Sequence, residues 1–137
     1  MSLVLDASIT LAWVFGEAAA PGVRQVFETV AERGAVVPGL WWLEVANSLT
    51  VAVRRQRIDA AFRRAALDDL AALDITTDPE VVTRAWTGTL DLTDEHRLTI
   101  YDAVYLEVAL RRGLPLATLD RDLRNAAARS KVPLAVA

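Results

Sequence analysis

Four acidic residues stand in apolar surroundings, where a carboxylate is unusual. Asp6 and Asp120 each end a short apolar run, whereas Glu44 and Asp102 lie inside longer apolar segments with helical spacing. A carboxylate on a buried face is rare unless it is paired with a cation or bound to a metal. Asp6, Glu44, Asp102 and Asp120 are therefore the candidate catalytic and metal-binding residues.

The chemistry of such a cluster follows from its charge. Two carboxylates about 5 Å apart repel each other by roughly 3 kcal/mol at an effective dielectric of about 20, so four of them need protons or a bridging cation. Ligands that are all oxygens favour Mg²⁺ or Mn²⁺ over zinc, and one histidine with no cysteine agrees with this choice. A bound cation of this kind can activate water for attack on a phosphate. The four acids therefore indicate phosphodiester hydrolysis.

Three of the acids also have a purely structural explanation. Asp6 could end a strand and begin a turn, Asp120 could cap the last helix, and Asp102 could lie near a helix start, where it favours the dipole. Glu44 has no such explanation, because its neighbours are apolar on both sides and a capping role is not open in the middle of a helix. Taken together, the four positions favour a site.

The elements that would position these acids alternate between strands and helices. Strands are predicted over residues 2–5, 35–37, 75–77, 114–119 and 132–136. Helices are predicted from Pro21, over 40–53, over 60–73 after the cap Asp59, from the Asp78-Pro79-Glu80 start, over 100–110 and over 121–130. We expect the helix of 60–73 to turn Phe62 inward, and the one after Asp78 to bury Val82 and Trp86. This alternation predicts an α/β fold with a parallel sheet covered on both faces.

Length and composition limit the class of protein. The 137 residues suit one domain, and the 53 % of hydrophobic residues are spread over runs too short to span a membrane. With no cysteine and no apparent signal peptide, we expect a soluble, cytoplasmic protein without a membrane partner. The net charge of −3 argues against a nucleic-acid partner, but if cations neutralise four acids the rest of the chain carries +1.

Four ordered motifs resemble those of the PIN-domain nucleases, in particular the VapC-type toxins of toxin–antitoxin pairs. They are Leu5-Asp6-Ala7-Ser8, Glu44-Val45-Ala46-Asn47, Tyr101-Asp102-Ala103-Val104-Tyr105-Leu106 and Thr118-Leu119-Asp120-Arg121-Asp122-Leu123. Their order and spacing cover nearly the whole chain. The resemblance implies a single PIN domain over residues 1–137, with three α/β/α layers around a mostly parallel sheet of four to five strands.

The same resemblance implies an activity and partners. The chain would be an endoribonuclease dependent on Mg²⁺ or Mn²⁺, a toxin that cleaves RNA and inhibits growth. It would form a homodimer and bind an antitoxin whose C-terminal segment lies across the site and places an arginine against the acids. Ser8 and Thr118 would supply hydroxyls near the acids, and Asn47 would lie one turn after Glu44. Asp122 is either a fifth acid of the site or an exposed residue in the first turn of the last helix.

Other residues admit two interpretations each. His96 is either a general acid or a histidine of a solvated loop or helix cap. Arg54, Arg55 and Arg57 either follow RNA phosphates or form a solvated helix end. The four tryptophans, which either stack on bases or pack in the core and at interfaces, are Trp13, Trp41, Trp42 and Trp86.

Two other classes of function stay open at this stage. A receiver-like signalling domain would accept a phosphoryl group on a strand-end aspartate, but the only lysine, Lys131, comes before the predicted last strand rather than after it. A degenerate nuclease fold retained only for binding a partner would take up no metal. A phosphatase of the haloacid type is poorly supported, because Asp6-Ala7-Ser8 lacks that motif's second aspartate.

Overall fold

A parallel sheet of four strands forms the centre of the computed structural model, which describes residues 2–17 and 21–135. The strands are β1 (Leu3–Leu5), β2 (Ala35–Val37), β3 (Ile75–Thr77) and β4 (Leu116–Ala117). Their order is β3-β2-β1-β4 and every pairing is parallel, with Leu3 opposite Ala35 and Leu5 opposite Ala117. All carboxyl ends therefore meet at one edge, where Asp6 follows β1 and Thr118 follows β4.

Helices cover the sheet in two groups. Within the described ranges they are α1 (Ala7–Val14), α2 (Pro21–Arg33), α3 (Gly39–Arg54), α4 (Ala60–Ala71), α5 (Val81–Arg84), α6 (Gly88–His96), α7 (Ile100–Arg112) and α8 (Arg121–Arg129). α1 packs on α2 and α3, and α3 packs on α4. α7 packs on α6 and α8 and also on β1 and β4. The predicted three-layer α/β fold with a parallel sheet is thus confirmed. In the part of the chain that is described, no helix is both long and apolar enough to cross a membrane.

The central helix α7 has clear start and stop signals. The Thr99 hydroxyl caps its first turn by accepting the backbone N–H of Asp102 at 3.2 Å, and Gly113 ends the helix with a left-handed φ of 64°. Residues 103–109 between these ends are all buried. The predicted buried helix over 100–110 is confirmed.

α1 was not predicted by the hydrophobic pattern, which indicated only the helix from Pro21 between the first two strands. Its eight residues are apolar nearly all round, so they show no 3.6-residue alternation. Tertiary contacts fix this helix instead: Trp41 Nε1 of α3 donates to Thr10 Oγ1 at 3.1 Å, and that hydroxyl donates to the backbone oxygen of Asp6 at 2.9 Å.

The segment after β3 also differs from its prediction. The helix that starts after Asp78 is a single turn, α5, and Val82 and Trp86 are each 88 % exposed rather than buried. α6 lies in a mostly polar stretch for which the sequence pattern predicts no separate element. It carries few apolar residues and is held by packing against α7 rather than by its own periodicity.

Two smaller expectations also change. The last strand is reduced to one parallel bridge between Leu134 and Leu116, and Val136 lies outside the described residues. In α4, Asp59 caps the helix as predicted, accepting from the Phe62 N–H at 2.8 Å. The Phe62 side chain itself is 43 % exposed, so its predicted inward orientation is wrong.

A buried ion-pair network ties the end of α7 to the segment after β3. The Asp78 carboxylate is fully buried and accepts two hydrogen bonds from Arg111, at 2.9 and 3.0 Å, and one from Arg112 Nε at 2.6 Å. Arg111 also pairs with Glu107 and with the exposed Glu80. The network fixes α7 at the end opposite to Asp102.

Candidate active site

The Asp6 carboxylate is oriented by two hydroxyls. Ser8 Oγ and Thr118 Oγ1 both donate to Asp6 Oδ2, at 2.7 and 2.6 Å. These hydroxyls in turn accept backbone N–H groups, Ser8 from Leu119 at 3.0 Å and Thr118 from Asp120 at 3.0 Å. The backbone donors fix the direction of both hydroxyl protons, so Oδ2 is held firmly and no hydroxyl in the described residues binds Oδ1. The structure therefore brings Ser8 and Thr118 to the acid, as expected.

Glu44 is held by Tyr105, which was not among the predicted site residues. It projects, half-buried, from α3, and the hydroxyl of Tyr105 donates to its Oε1 at 2.5 Å. Tyr105 is fully buried and lies one turn after Asp102 on α7. The sequence contains one signal for this contact, since Tyr105 carries a hydroxyl three positions after Asp102 in a helix that is otherwise mostly apolar.

Asp102 and Asp120 sit at the starts of two helices. Asp102 lies in the first turn of α7 and is half-buried. Asp120 is the N-cap of α8, where its Oδ2 accepts the Leu123 N–H at 2.8 Å. The structural explanations are therefore correct, because Asp102 lies in the first turn of α7 and Asp120 caps α8. The capping bond uses only Oδ2 of Asp120 and does not involve Oδ1.

The pKa shifts show that the acids act on one another. Burial raises the pKa of Asp6 above its ordinary 3.8, against the lowering effect of its hydroxyl partners, and the charge of Asp120 raises it further. Burial likewise raises the pKa of Glu44; the Tyr105 bond lowers it, and the charges of Asp6 and Asp102 raise it. The pKa of Asp102 is raised by burial, then by Asp120 and Asp6. The charges of the four carboxylates thus act on one another, and ionisation of Asp6, Glu44 and Asp102 costs free energy in the folded protein.

The donor set of this cluster suits a hard divalent cation. Its ligating atoms are all oxygens, and its negative charge is not offset by any nearby cationic side chain in the described contacts. Over residues 2–17 and 21–135, no three acidic or histidine side chains already stand in a geometry that holds a metal ion. The residues fit Mg²⁺ or Mn²⁺ in kind, because every candidate ligand is a carboxylate oxygen.

Two of the expected supporting residues stand apart from the cluster. Asn47 is exposed on α3 and lines a groove with Leu11 and Phe15 rather than contacting an acid. Asp122 is exposed in the first turn of α8, as one of its two interpretations held, although its charge still raises the pKa of Asp102.

The described side-chain contacts of His96, Trp13, Trp41 and Trp42 are not with the carboxylates of the four candidate acids. The His96 side chain is 4 % exposed, and its Nε2 is 3.1 Å from Ser130 Oγ, so it joins the end of α6 to the end of α8. Trp41 is buried, and Trp42, turned perpendicular to it, donates to Thr77 Oγ1 at 2.8 Å. Trp13 stacks on Phe27 at 4.9 Å. Packing accounts for these three rings.

A scan against protein-family models matches residues 3–129 to the PIN domain, which covers nearly the whole chain, including all four acids. The chain therefore belongs to the PIN-domain family, whose members are generally nucleases that use divalent metal ions. A search of curated proteins found no match.

Two solved structures are similar in fold. One, a crystal structure of PAE2754 from Pyrobaculum aerophilum, is 28 % identical with a TM-score of 0.67, covering 92 % of this chain and 86 % of that one. The other, a toxin–antitoxin complex from Klebsiella pneumoniae, is 18 % identical with a TM-score of 0.59, covering 88 % and 89 %. The second likeness concerns the fold alone.

Proposed function

We propose that this chain is an endoribonuclease dependent on Mg²⁺ or Mn²⁺ and the toxin of a toxin–antitoxin pair. The observation that carries the proposal is the convergence of Asp6, Glu44, Asp102 and Asp120, whose electrostatic coupling calls for a cation. Membership of a nuclease family supports hydrolysis of a phosphodiester. The fold shared with a toxin–antitoxin complex supports the toxin role.

The four acids would hold the cation, and their neighbours would orient them. Ser8 and Thr118 keep one oxygen of Asp6 fixed, and Tyr105 fixes Glu44. When bound, a divalent cation supplies an activated water and offsets charge on the scissile phosphate.

The test is cleavage of RNA by the purified protein with Mg²⁺ or Mn²⁺. We expect Asp6→Asn and Asp102→Asn to abolish cleavage, and growth inhibition on expression, while the near-ultraviolet circular dichroism stays native. Asp94→Asn, which makes the same change at an exposed position of α6, is the matched control and should retain full activity. An active Asp6→Asn protein would refute the site assignment. Absence of Mg²⁺ and Mn²⁺ uptake by calorimetry would favour a non-catalytic domain.

An apolar groove beside the acids supports a protein partner. Leu43 and Tyr101, the chain neighbours of Glu44 and Asp102, line a cavity of about 490 Å³ with Val82, and all three side chains are largely exposed. A peptide with an apolar segment and an arginine would fill the groove and pair with the acids, as proposed for an antitoxin. The test is inhibition of cleavage by the product of the neighbouring upstream reading frame. Leu43→Ser should weaken that inhibition, and sedimentation of the free protein tests the proposed homodimer.

A further inference from the structure

A second groove runs between α1 and α3, away from the apolar groove just described. It is a cavity of about 310 Å³. Its apolar floor is formed by Leu11, Phe15 and Val51, with Asn47 along one side and Arg55 and Arg57 at one end. The hydrogen bond from Trp41 to Thr10 holds the two helices together, so the walls of the groove are fixed.

Both helices lead into this groove from the acidic cluster. α1 begins at the residue after Asp6. On α3, Arg55 follows Glu44 by 11 residues, which is about three turns at 3.6 residues per turn, so the two lie on one face of the helix. At 1.5 Å per residue, their backbones are about 16 Å apart along the axis. Asn47 at the near end of the groove therefore lies about one turn of α3 from Glu44, and Arg55 at its far end lies about three turns from Glu44.

The two arginines at the end of the groove are available to an anion. Both are exposed, and in the part of the chain that is described neither has a carboxylate within 4.0 Å. Arg57 packs its guanidinium 4.9 Å from the centre of the Phe15 ring, which holds the charge over the groove. A guanidinium with free donors in a fixed position suits the bidentate recognition of a phosphate.

We propose that this groove binds the RNA substrate on one side of the scissile phosphate, as a single strand, with Arg55 and Arg57 contacting backbone phosphates. This inference rests on the proposed ribonuclease function and names the path of its substrate. A strand whose scissile phosphate lies at the acids must continue past them, and the groove offers cations beyond the zone of negative charge. Its apolar floor suits the faces of sugars and bases, which pack on side chains in a manner tolerant of sequence.

The experiment measures binding of a labelled single-stranded RNA oligonucleotide by fluorescence anisotropy between about 50 and 200 mM salt. Asp102→Asn provides a background in which the RNA is not cleaved. For single strands each phosphate contact contributes about 0.7 to the slope of log affinity against log salt, so Arg55→Gln with Arg57→Gln should lower the slope by about 1.4. Near 0.1 M salt that corresponds to about 20-fold weaker binding. Thermal unfolding of the variant should match that of its parent, because both side chains are exposed.

Arg54→Gln is the matched control, since Arg54 is an exposed neighbour on the same helix that does not line the groove. Arg54→Gln should change the slope by less than half of the roughly 0.7 expected for the loss of one phosphate contact. An unchanged slope in the double variant, or an equal effect of Arg54→Gln, overturns the inference while leaving the nuclease proposal intact. A double variant that loses inhibition by the antitoxin but binds RNA normally also overturns it. If the wild-type protein neither binds nor cleaves RNA, both proposals fail.

Discussion

Replacing Asp78 with asparagine tests the electrostatic account of the fold most directly. Burial alone raises the pKa of this carboxyl, but the hydrogen bonds from Arg111 and Arg112 outweigh burial and hold the pKa at about 2, below its ordinary 3.8. The side chain is fully buried, so solvent does not screen these bonds. Asparagine keeps the size of the side chain and removes its charge.

The magnitude follows from the two pKa values. At 1.36 kcal/mol per pKa unit, the difference between 3.8 and about 2 corresponds to about 2 kcal/mol of folding stability. Because the folded-state pKa is the lower one, this stability is present above about pH 4 and is lost as the pH falls through 2. We therefore expect Asp78→Asn to lower the free energy of unfolding by about 2 kcal/mol at neutral pH, or the melting temperature by roughly 8 °C. Near pH 2 only a few tenths of a kcal/mol should remain.

Urea unfolding of both proteins from about pH 7 down to pH 2 measures this difference, and subtraction cancels the titration of every other group. Glu80→Gln is the control. It removes another carboxylate from Arg111, but the Glu80 side chain is 54 % exposed, so the cost should stay below about 1 kcal/mol. A cost for Asp78→Asn that is below about 1 kcal/mol at neutral pH, or that does not shrink in acid, would refute the reasoning.

Three further predictions concern the acidic cluster. Tyr105→Phe should weaken Mn²⁺ binding, measured by calorimetry, about tenfold, because the loss of a hydrogen bond to a charged group costs about 1.5–3 kcal/mol. Tyr101→Phe, on the exposed side of α7, is the control and should leave Mn²⁺ binding unchanged. Asp6→Asn should stabilise the metal-free protein in thermal unfolding, and the gain should grow as the pH rises above about 4. The reason is that the folded-state pKa of Asp6 is raised, so ionisation of this carboxyl costs folding stability. A gain that does not change with pH, or a loss of stability, contradicts this prediction. Mg²⁺ at about 100 times its Kd should raise the stability of the wild-type protein by about 2.7 kcal/mol, and that of Asp6→Asn by much less.

Much of the fold could be predicted because its signals are local. Short apolar runs before Asp6 and Pro38 predicted β1 and β2, and the i, i+3, i+4 pattern predicted α2. A long apolar stretch between Gly39 and a basic cluster predicted α3. The two helices missed were α1 and α6, where the pattern is either apolar on every side or nearly absent. Their stability comes from contacts with helices distant in sequence, which a local pattern does not contain.

The candidate site likewise contains residues that the local sequence indicates and residues that only tertiary contacts reveal. The ends of two strands indicated Asp6 and Asp120, and two apolar helical segments indicated Glu44 and Asp102, because a charged residue is unusual in an apolar run. The partner of Glu44 was not found, because Tyr105 is a common core residue and only the crossing of α3 and α7 shows where its hydroxyl points. The groove between α1 and α3 was likewise hidden, since α1 itself was missed.

The central position of β1 has a consequence for the time at which the site forms. Asp6 is synthesised before most of the domain, whereas its neighbouring strand β4 and the hydroxyl of Thr118 come more than 100 residues later. Asp120 follows Asp6 by 114 residues, which ribosomes translate in roughly 6 to 23 s at about 5–20 residues per second. By the end of that interval the nascent chain contains three of the four candidate acids, Asp6, Glu44 and Asp102, before Thr118 is available to orient Asp6. The proposed site is therefore incomplete until β4 and the residues after it have been translated.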